Sequence, residues 1–252
     1  LPFEEEQTSR HLSAVNKKPP RLPIMETFFL LNRWLHIAAG FVGFFVAPVA
    51  LAVRKGGPAH RRWGQVFFYA MVVAGTTALA GAQHIHSLFL LLTAVFSLYM
   101  AAFGYRSVFL KHLAWDARVA PADWAVAGTG LAVFVGTVAY GLAAGNMPVM
   151  VFGGIGSLTA GRQLRGYAQA GRWSKSQWLL NHISGFMASY IAAVTAFSAT
   201  SLHFIPFPYS FLWPTALGVP IIGWWHRQVR QQRVATAPAP GLSGSPAPAL
   251  HR

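Results

Sequence analysis

Histidine is the residue type in this chain best able to do chemistry. The sequence holds 10 histidines, and most of them fall within about one turn of the end of an apolar run. They sort into two layers. His36, His84, His86 and His203 lie at one set of ends, and His60, His112, His182 and His226 at the other. A neutral imidazole nitrogen is a natural axial ligand for haem iron, and two histidines on different helices at one depth clamp a b-type haem. In the second layer the spacing pairs His182, one turn inside its apolar run, with His112 or His60. Arg61, Arg62, Arg162 and Arg165 are then candidates to neutralise the haem propionates. In the first layer His36 is the best-placed ligand, with His84, His86 or His203 as partner and Arg33 as the cation at hand. His36 and His182 are also the first candidates for a transition-metal ligand. The alternative for all of these residues is that an amphipathic ring simply rests at a membrane interface. His84 and His86 stand two apart and point to different sides of a helix, so they chelate only from a turn.

Other chemistries are excluded or disfavoured. There is no cysteine, which removes disulfides, Cys-ligated zinc, iron–sulfur clusters and thiol catalysis. No acidic residue lies inside an expected span: Asp116 and Asp123 fall in a connection, and Glu26 precedes the first apolar run. That weighs against an ion-coupled transporter and against carboxylate-pair or two-metal hydrolysis. No glycine-rich phosphate loop, zinc-protease helix motif or nucleophile elbow is present, and Ser157 in Gly-Ile-Gly-Ser-Leu has no acid near it to complete a triad.

The elements that must position the histidines are written in the charge pattern. Residues 66–105, 125–161 and 176–226 carry no Lys, Arg, Asp or Glu. Each stretch far exceeds the ~20 apolar residues that cross a bilayer, and each breaks near its middle at a polar or Pro-containing turn. Charged residues make up 10% of the chain, against ~25% in soluble domains, so the expected class is an all-α polytopic transmembrane bundle. About seven spans fit: residues 28–53, 64–82, 87–108, 124–144, 148–164, 176–202 and 211–225. The fifth and seventh are short, and Pro214 and Pro220 predict a kink or local break in the seventh. Six spans with a re-entrant seventh is the competing topology. Gly153, Ser157 and Gly161 share one face of the fifth span, and His182, Gly185 and Ser189 one face of the sixth, as close helix packing requires.

A net charge of +14 would suggest nucleic-acid binding in a soluble protein. Here the cations lie in short connections, and no nucleic-acid partner is expected. Arg54, Lys55, Arg61, Arg62, Arg106, Lys111, Arg118, Arg162, Arg165, Arg172, Lys175, Arg227, Arg230 and Arg233 all fall on one side of a seven-span layout, whereas 83–86, 145–147 and 203–209 carry no Lys or Arg. The positive-inside rule then puts the N-terminus outside and the C-terminus in the cytoplasm. Residues 1–27 are expected to be a flexible tail, with Met25 a candidate start and no signal-peptide order in Leu1–Pro23. Residues 28–233 form the transmembrane domain, and the Ala/Pro/Gly/Ser-rich 234–252 is expected to be disordered.

His36 followed by Gly40 and Gly43, then Pro58-x-His60-Arg61-x-x-Gly64 in the loop entering the second span, resembles a family of uncharacterised bacterial membrane proteins. Asn181-His182, Ser189-Tyr190 and Ala192-Ala193-Val194-Thr195 add to the likeness. The resemblance spans most of residues 28–202 and implies a helical integral membrane protein with no assigned activity. It supplies no catalytic residues. It makes His36, His60, Arg61 and His182 the first positions to test.

Three function classes follow. The leading expectation is a redox-associated or electron-transfer protein of a bacterial inner membrane, with histidine-bound haem b, contacts to the lipid bilayer and quinone or other membrane subunits as partners. The second is an accessory or scaffold subunit in which the histidines do no chemistry. The third is a small-solute transporter.

Overall fold

The computed structural model describes residues 23–85, 87–206 and 208–236, and the described residues contain helices and no strands. Seven α-helices follow one another: α1 (Pro23–Ala52), α2 (Pro58–Ile85), α3 (Leu88–Ser107), α4 (Pro121–Ala143), α5 (Met147–Ala168), α6 (Gln177–Ser201) and α7 (Tyr209–Thr236), with a short 3₁₀ turn at Lys111–Ala114. Start signals are local. The Asn146 side chain accepts from the Val149 N–H at 3.2 Å, with Pro148 in the first turn of α5. Ser87 does the same for Leu90 at the head of α3. Gly145, at φ 61°, turns α4 back on α5 through a connection that an L side chain would strain.

Some boundaries differ from those expected. Pro58 through Gly64 is not a loop but the start of α2, because proline's fixed φ and missing N–H suit a first helical turn. His60, Arg61 and Arg62 are therefore helical. α1 begins at Pro23 and α7 continues to Thr236, so both are longer than their expected spans. Of the kink or local break expected in α7, the break does not occur; the helix runs on through Pro214 and Pro220. The tails at 1–22 and 237–252 lie outside the described residues.

Five helices are long and apolar enough to cross a membrane: α1, α2, α3, α4 and α6. The other two, α5 with 22 residues and α7 with 28, are long enough but not apolar enough, so the expectation that these two are short is not met. The outside of the bundle confirms the solvent. Leu31, Phe41, Phe45, Val126, Leu142, Leu158 and Leu217 are all exposed. Scattered exposed apolar residues are ordinary, but whole helix faces of them need hydrocarbon. This is a multi-pass membrane protein.

α3 and α6 form the central pair. A Cβ on Gly185 would stand 2.4 Å from the Gly104 nitrogen, so the two backbones touch there. One turn further along α6, Ser189 Oγ donates to the Ser97 carbonyl at 3.0 Å, with the two hydroxyls 3.2 Å apart. The expected small face of α6 is thus the one that meets α3. On α5 the contact line differs from the expectation. Gly153 meets Val138 and Gly156 meets Phe134 of α4, whereas nothing lies within 4 Å of a Cβ on Gly161. The buried set Gly153, Gly156, Ala160, Gln163 and Tyr167 follows i, i+3, i+7 spacing rather than steps of four. Around α3 and α6 pack the α1–α2 hairpin, the α4–α5 hairpin and α7. The largest core cluster joins Phe96, Met100, Phe134, Phe152, Ala192 and Phe211.

Candidate functional site

His60 and His182 come together at the basic end of the bundle. Their ring centres are 6.2 Å apart, with the ring planes at 71°. His60 sits in the first turn of α2 and His182 near the start of α6, so two elements distant in sequence build the pair. Each ring is pinned in the same way. His60 Nδ1 lies 2.9 Å from the Ala50 carbonyl of α1, and His182 Nδ1 lies 3.0 Å from the Gly104 carbonyl of α3. Both acceptors belong to last turns, where carbonyls lack helical donors. Ala50 is two residues from the end of α1. At the end of α3 the ladder tightens, with Val108 N–H donating to Tyr105 at 3.2 Å, and the Gly104 carbonyl is left for His182. Gly104 has no side chain to hold α6 away.

A carbonyl only accepts, so in each neutral ring Nδ1 carries the proton and Nε2 keeps its lone pair. This is the arrangement by which metal-bound histidines are commonly oriented. A metal held by two ring nitrogens at ~2 Å each, with roughly 1.1 Å from nitrogen to ring centre, would need centres ~6 Å apart and both Nε2 atoms turned to one point; the edge-on ring contact meets the first condition. The wall beside the pair is aromatic: Phe186 lies 4.8 Å from His182 and 5.5 Å from Phe67, ring centre to ring centre.

The other expected ligands stand elsewhere. His112 is in the 3₁₀ turn, with Nδ1 3.2 Å from the Phe109 carbonyl and Nε2 3.3 Å from that of Arg118. Both nitrogens face its own loop, so of the two partners expected for His182 the structure brings up His60. His226 Nε2 reaches Ser184 Oγ at 3.0 Å and the Leu180 carbonyl at 3.2 Å, which ties α7 to α6. His36 Nδ1 binds the Ala74 carbonyl at 2.8 Å and Thr77 Oγ1 at 3.2 Å, inside the α1–α2 hairpin. It precedes Ala50 by 14 residues, about 21 Å along α1, so His36 and His182 do not share one ion. His203 is exposed in the α6–α7 connection. His86 and the side chain of His84 lie outside the described residues. No group of three or more His, Asp or Glu that could hold an ion forms among the described residues, so a closed tetrahedral site is not built from them.

Of the arginines expected to meet propionates, Arg61 is bonded to its own turn and the others are exposed. Arg61 Nε donates to the Gly56 carbonyl at 3.1 Å, and Arg61 and Arg62 are exposed. Arg162 and Arg165 stand exposed on α5, in the other hairpin. Two lysines at this end rest on tryptophan rings. Lys111 Nζ sits 4.3 Å from the ring centre of Trp178, one turn before His182 on α6. Lys55 donates to the Leu51 carbonyl, next to the one that holds His60, and its Nζ lies 5.4 Å from the Trp225 ring. Only the tryptophans would have signalled these positions, and neither neighbours its lysine in sequence.

A second polar group was also not expected. Asp123 falls in the first turn of α4 rather than in the connection before it, where the helix dipole favours a carboxylate. Arg106 Nε and Nη2 bind its two oxygens at 2.7 and 2.8 Å. Nearby, Tyr99 Oη donates to Gln163 Oε1 at 2.6 Å, and Gln163 Nε2 donates to Tyr167 Oη at 2.7 Å. In the surface loop the Arg118 backbone N–H and then its guanidinium hold the Asp116 carboxyl below its ordinary range.

The chain matches no protein-family model, no curated protein and no solved structure. The resemblance to an uncharacterised membrane family rests on the short motifs quoted above alone.

Proposed function

We propose that the protein is an electron-transfer or redox-associated subunit of a bacterial inner membrane, in which His60 and His182 would hold one b-type haem. The observation that carries the reading is the ring pair itself: two imidazoles 6.2 Å apart, each with Nδ1 committed to a helix-end carbonyl. When bound, haem b supplies a ferric–ferrous couple for one-electron transfer. The residues of the chain bind and orient. The Ala50 and Gly104 carbonyls fix ring rotation and tautomer, and their pull on the Nδ1 proton makes Nε2 a better donor to iron. Phe186, packed on His182 and on Phe67, gives the pair an apolar wall. A lipid-dissolved quinone is the proposed electron partner, because the pair lies at the end of helices apolar enough to cross a bilayer.

Membranes holding the haem-loaded protein should show a haem b absorbance change when a reduced quinone analogue is added. The change should be absent from the His182→Ala protein, because a methyl group cannot replace an axial ligand. Haem-loaded protein that no quinol reduces would remove quinone from the account. Protein without visible absorbance, even when haem is supplied during expression, would remove electron transfer as well.

A further inference from the structure

A crevice of about 370 Å³ opens on the outer face of the bundle between α3 and α4. The two helices are consecutive but pack on other partners, α3 along α6 and α4 along α5. Val95 and Tyr99 form one wall, and Ala125, Val126, Thr129 and Val133 the other. The Tyr99 ring lies on Gly130, where an added Cβ would stand 2.3 Å from Cε2. The Tyr99 hydroxyl is turned away to Gln163. Apart from Thr129, the walls therefore offer hydrocarbon. Water needs polar partners to stay in such a space, and an empty one forfeits dispersion contacts, so in a bilayer an acyl chain is the natural filler.

The crevice also has a polar mouth. On α3 the stripe Val95, Tyr99, Ala102 and Arg106 follows helical spacing toward the basic end. There Arg106 Nε and Nη2 hold Asp123 of α4 at 2.7 and 2.8 Å, which leaves Nη1 without a protein acceptor among the described residues. The Arg106 side chain is 45% exposed. From Asp123 to Val133 α4 rises about 15 Å, the depth of one leaflet of a ~30 Å hydrocarbon core. Trp124 is exposed at the level of the mouth, as interfacial indoles are. Both acids near it are taken, Asp123 by Arg106 and Asp116 by Arg118, so neither is left to hold a lipid ammonium. We propose that one anionic phospholipid is bound here, with an acyl chain in the crevice and its phosphate on Nη1 of Arg106. A guanidinium fork serves a carboxylate and a phosphate together. Gly104, which touches α6, is on the opposite side of α3, so the lipid site is separate from the histidine pair. The seated lipid ties the α4–α5 hairpin to the central α3–α6 pair.

The test titrates the full chain, purified in detergent and stripped of lipid, with dioleoylphosphatidylglycerol or dioleoylphosphatidylcholine. Bound lipid is counted by native mass spectrometry. The wild type should take up its first phosphatidylglycerol about ten-fold more tightly than phosphatidylcholine, the worth of one hydrogen bond to a charged group. Thr129→Trp fills the crevice from its exposed wall and should lose that first lipid. Ala125→Leu, a smaller obstruction, should weaken it and keeps the comparison if Thr129→Trp fails to fold. Val135→Trp, exposed on α4 outside the crevice, should bind like the wild type. Arg106→Met/Asp123→Asn removes both charges together and should bind the two lipids equally. A wild type that takes both lipids equally would overturn the anionic headgroup. Folded Thr129→Trp or Ala125→Leu protein with wild-type phosphatidylglycerol uptake would overturn the crevice as the site. A lipid-free wild-type dimer that Thr129→Trp turns into a monomer would give this face to a second copy of the chain instead.

Discussion

His60 and His182 owe their orientation to two carbonyls that α1 and α3 cannot use internally. A side chain that supplies the missing donor is favoured there whether or not a ligand follows, so the pair is organised before anything binds. The Arg106–Asp123 pair shows the opposite economy. Asp123 is buried and its partner about half exposed, and each oxygen has its own donor. Arg106→Met strands a buried carboxylate and should cost roughly 2 kcal/mol, below the value for a fully buried pair because water screens the guanidinium side. The Arg106→Met/Asp123→Asn protein should regain part of this loss, read as the midpoint of thermal unfolding in detergent. A double variant less stable than Arg106→Met alone would contradict that origin. The ion pair was not legible from sequence, because Asp123 was counted in a connection. Proline at 121 followed by an acid is a helix-start signal, and weighing it would have moved Asp123 inside.

Among the elements, the α3–α6 crossing sets the height of His182. Gly185 on Gly104 lets the helices touch, and Ser97 with Ser189 fixes the register one turn away. Gly185→Ala drives a Cβ into backbone that cannot rotate aside. It should cost about 1–3 kcal/mol and weaken the His182 contact with the Gly104 carbonyl. Gly161→Ala, with nothing within 4 Å, should be neutral or slightly stabilising through better helix propensity. Unfolding of the two variants side by side checks this, and equal losses would argue against the crossing as the tight point. Ser97→Ala should cost less, near 0.6 kcal/mol, the usual worth of an interhelical hydrogen bond in lipid. The element level was the most legible in the sequence. Charge-free runs and turn residues indicate seven helices in order, and the small face expected on α6 is the one that the structure packs on α3. The α5 face is not legible in steps of four, because its buried positions alternate steps of three and four. The start of α2 was misjudged because Pro58 marks a turn and a first helical residue equally well.

For the whole molecule, the basic connections lie at one end of an apolar bundle, and seven crossings would put that end in the cytoplasm. A reporter active only in the cytoplasm should therefore work when fused after Thr236 or between Gly56 and Gly57, and fail between Gly145 and Asn146. The reverse pattern would invert the orientation. Activity at both Gly56 and Asn146 would show that the helices between them do not all cross. The same end carries the histidine pair, so orientation decides which compartment meets it. Sequence could place four histidines at this end but not say which two face each other. That depends on α1–α2 and α3–α6 docking, which joins residues far apart in the chain.

The most direct test of the central claim is axial ligation. Haem is titrated into the purified wild type, His60→Ala, His182→Ala and His112→Ala, and the visible spectrum is recorded before and after imidazole is added. The account predicts narrow, split low-spin bands for the wild type and for His112→Ala. His60→Ala and His182→Ala should give high-spin spectra, each returned to low spin by imidazole. A His60→Ala protein that stays low-spin without imidazole, or a wild type that takes up no haem, would contradict it.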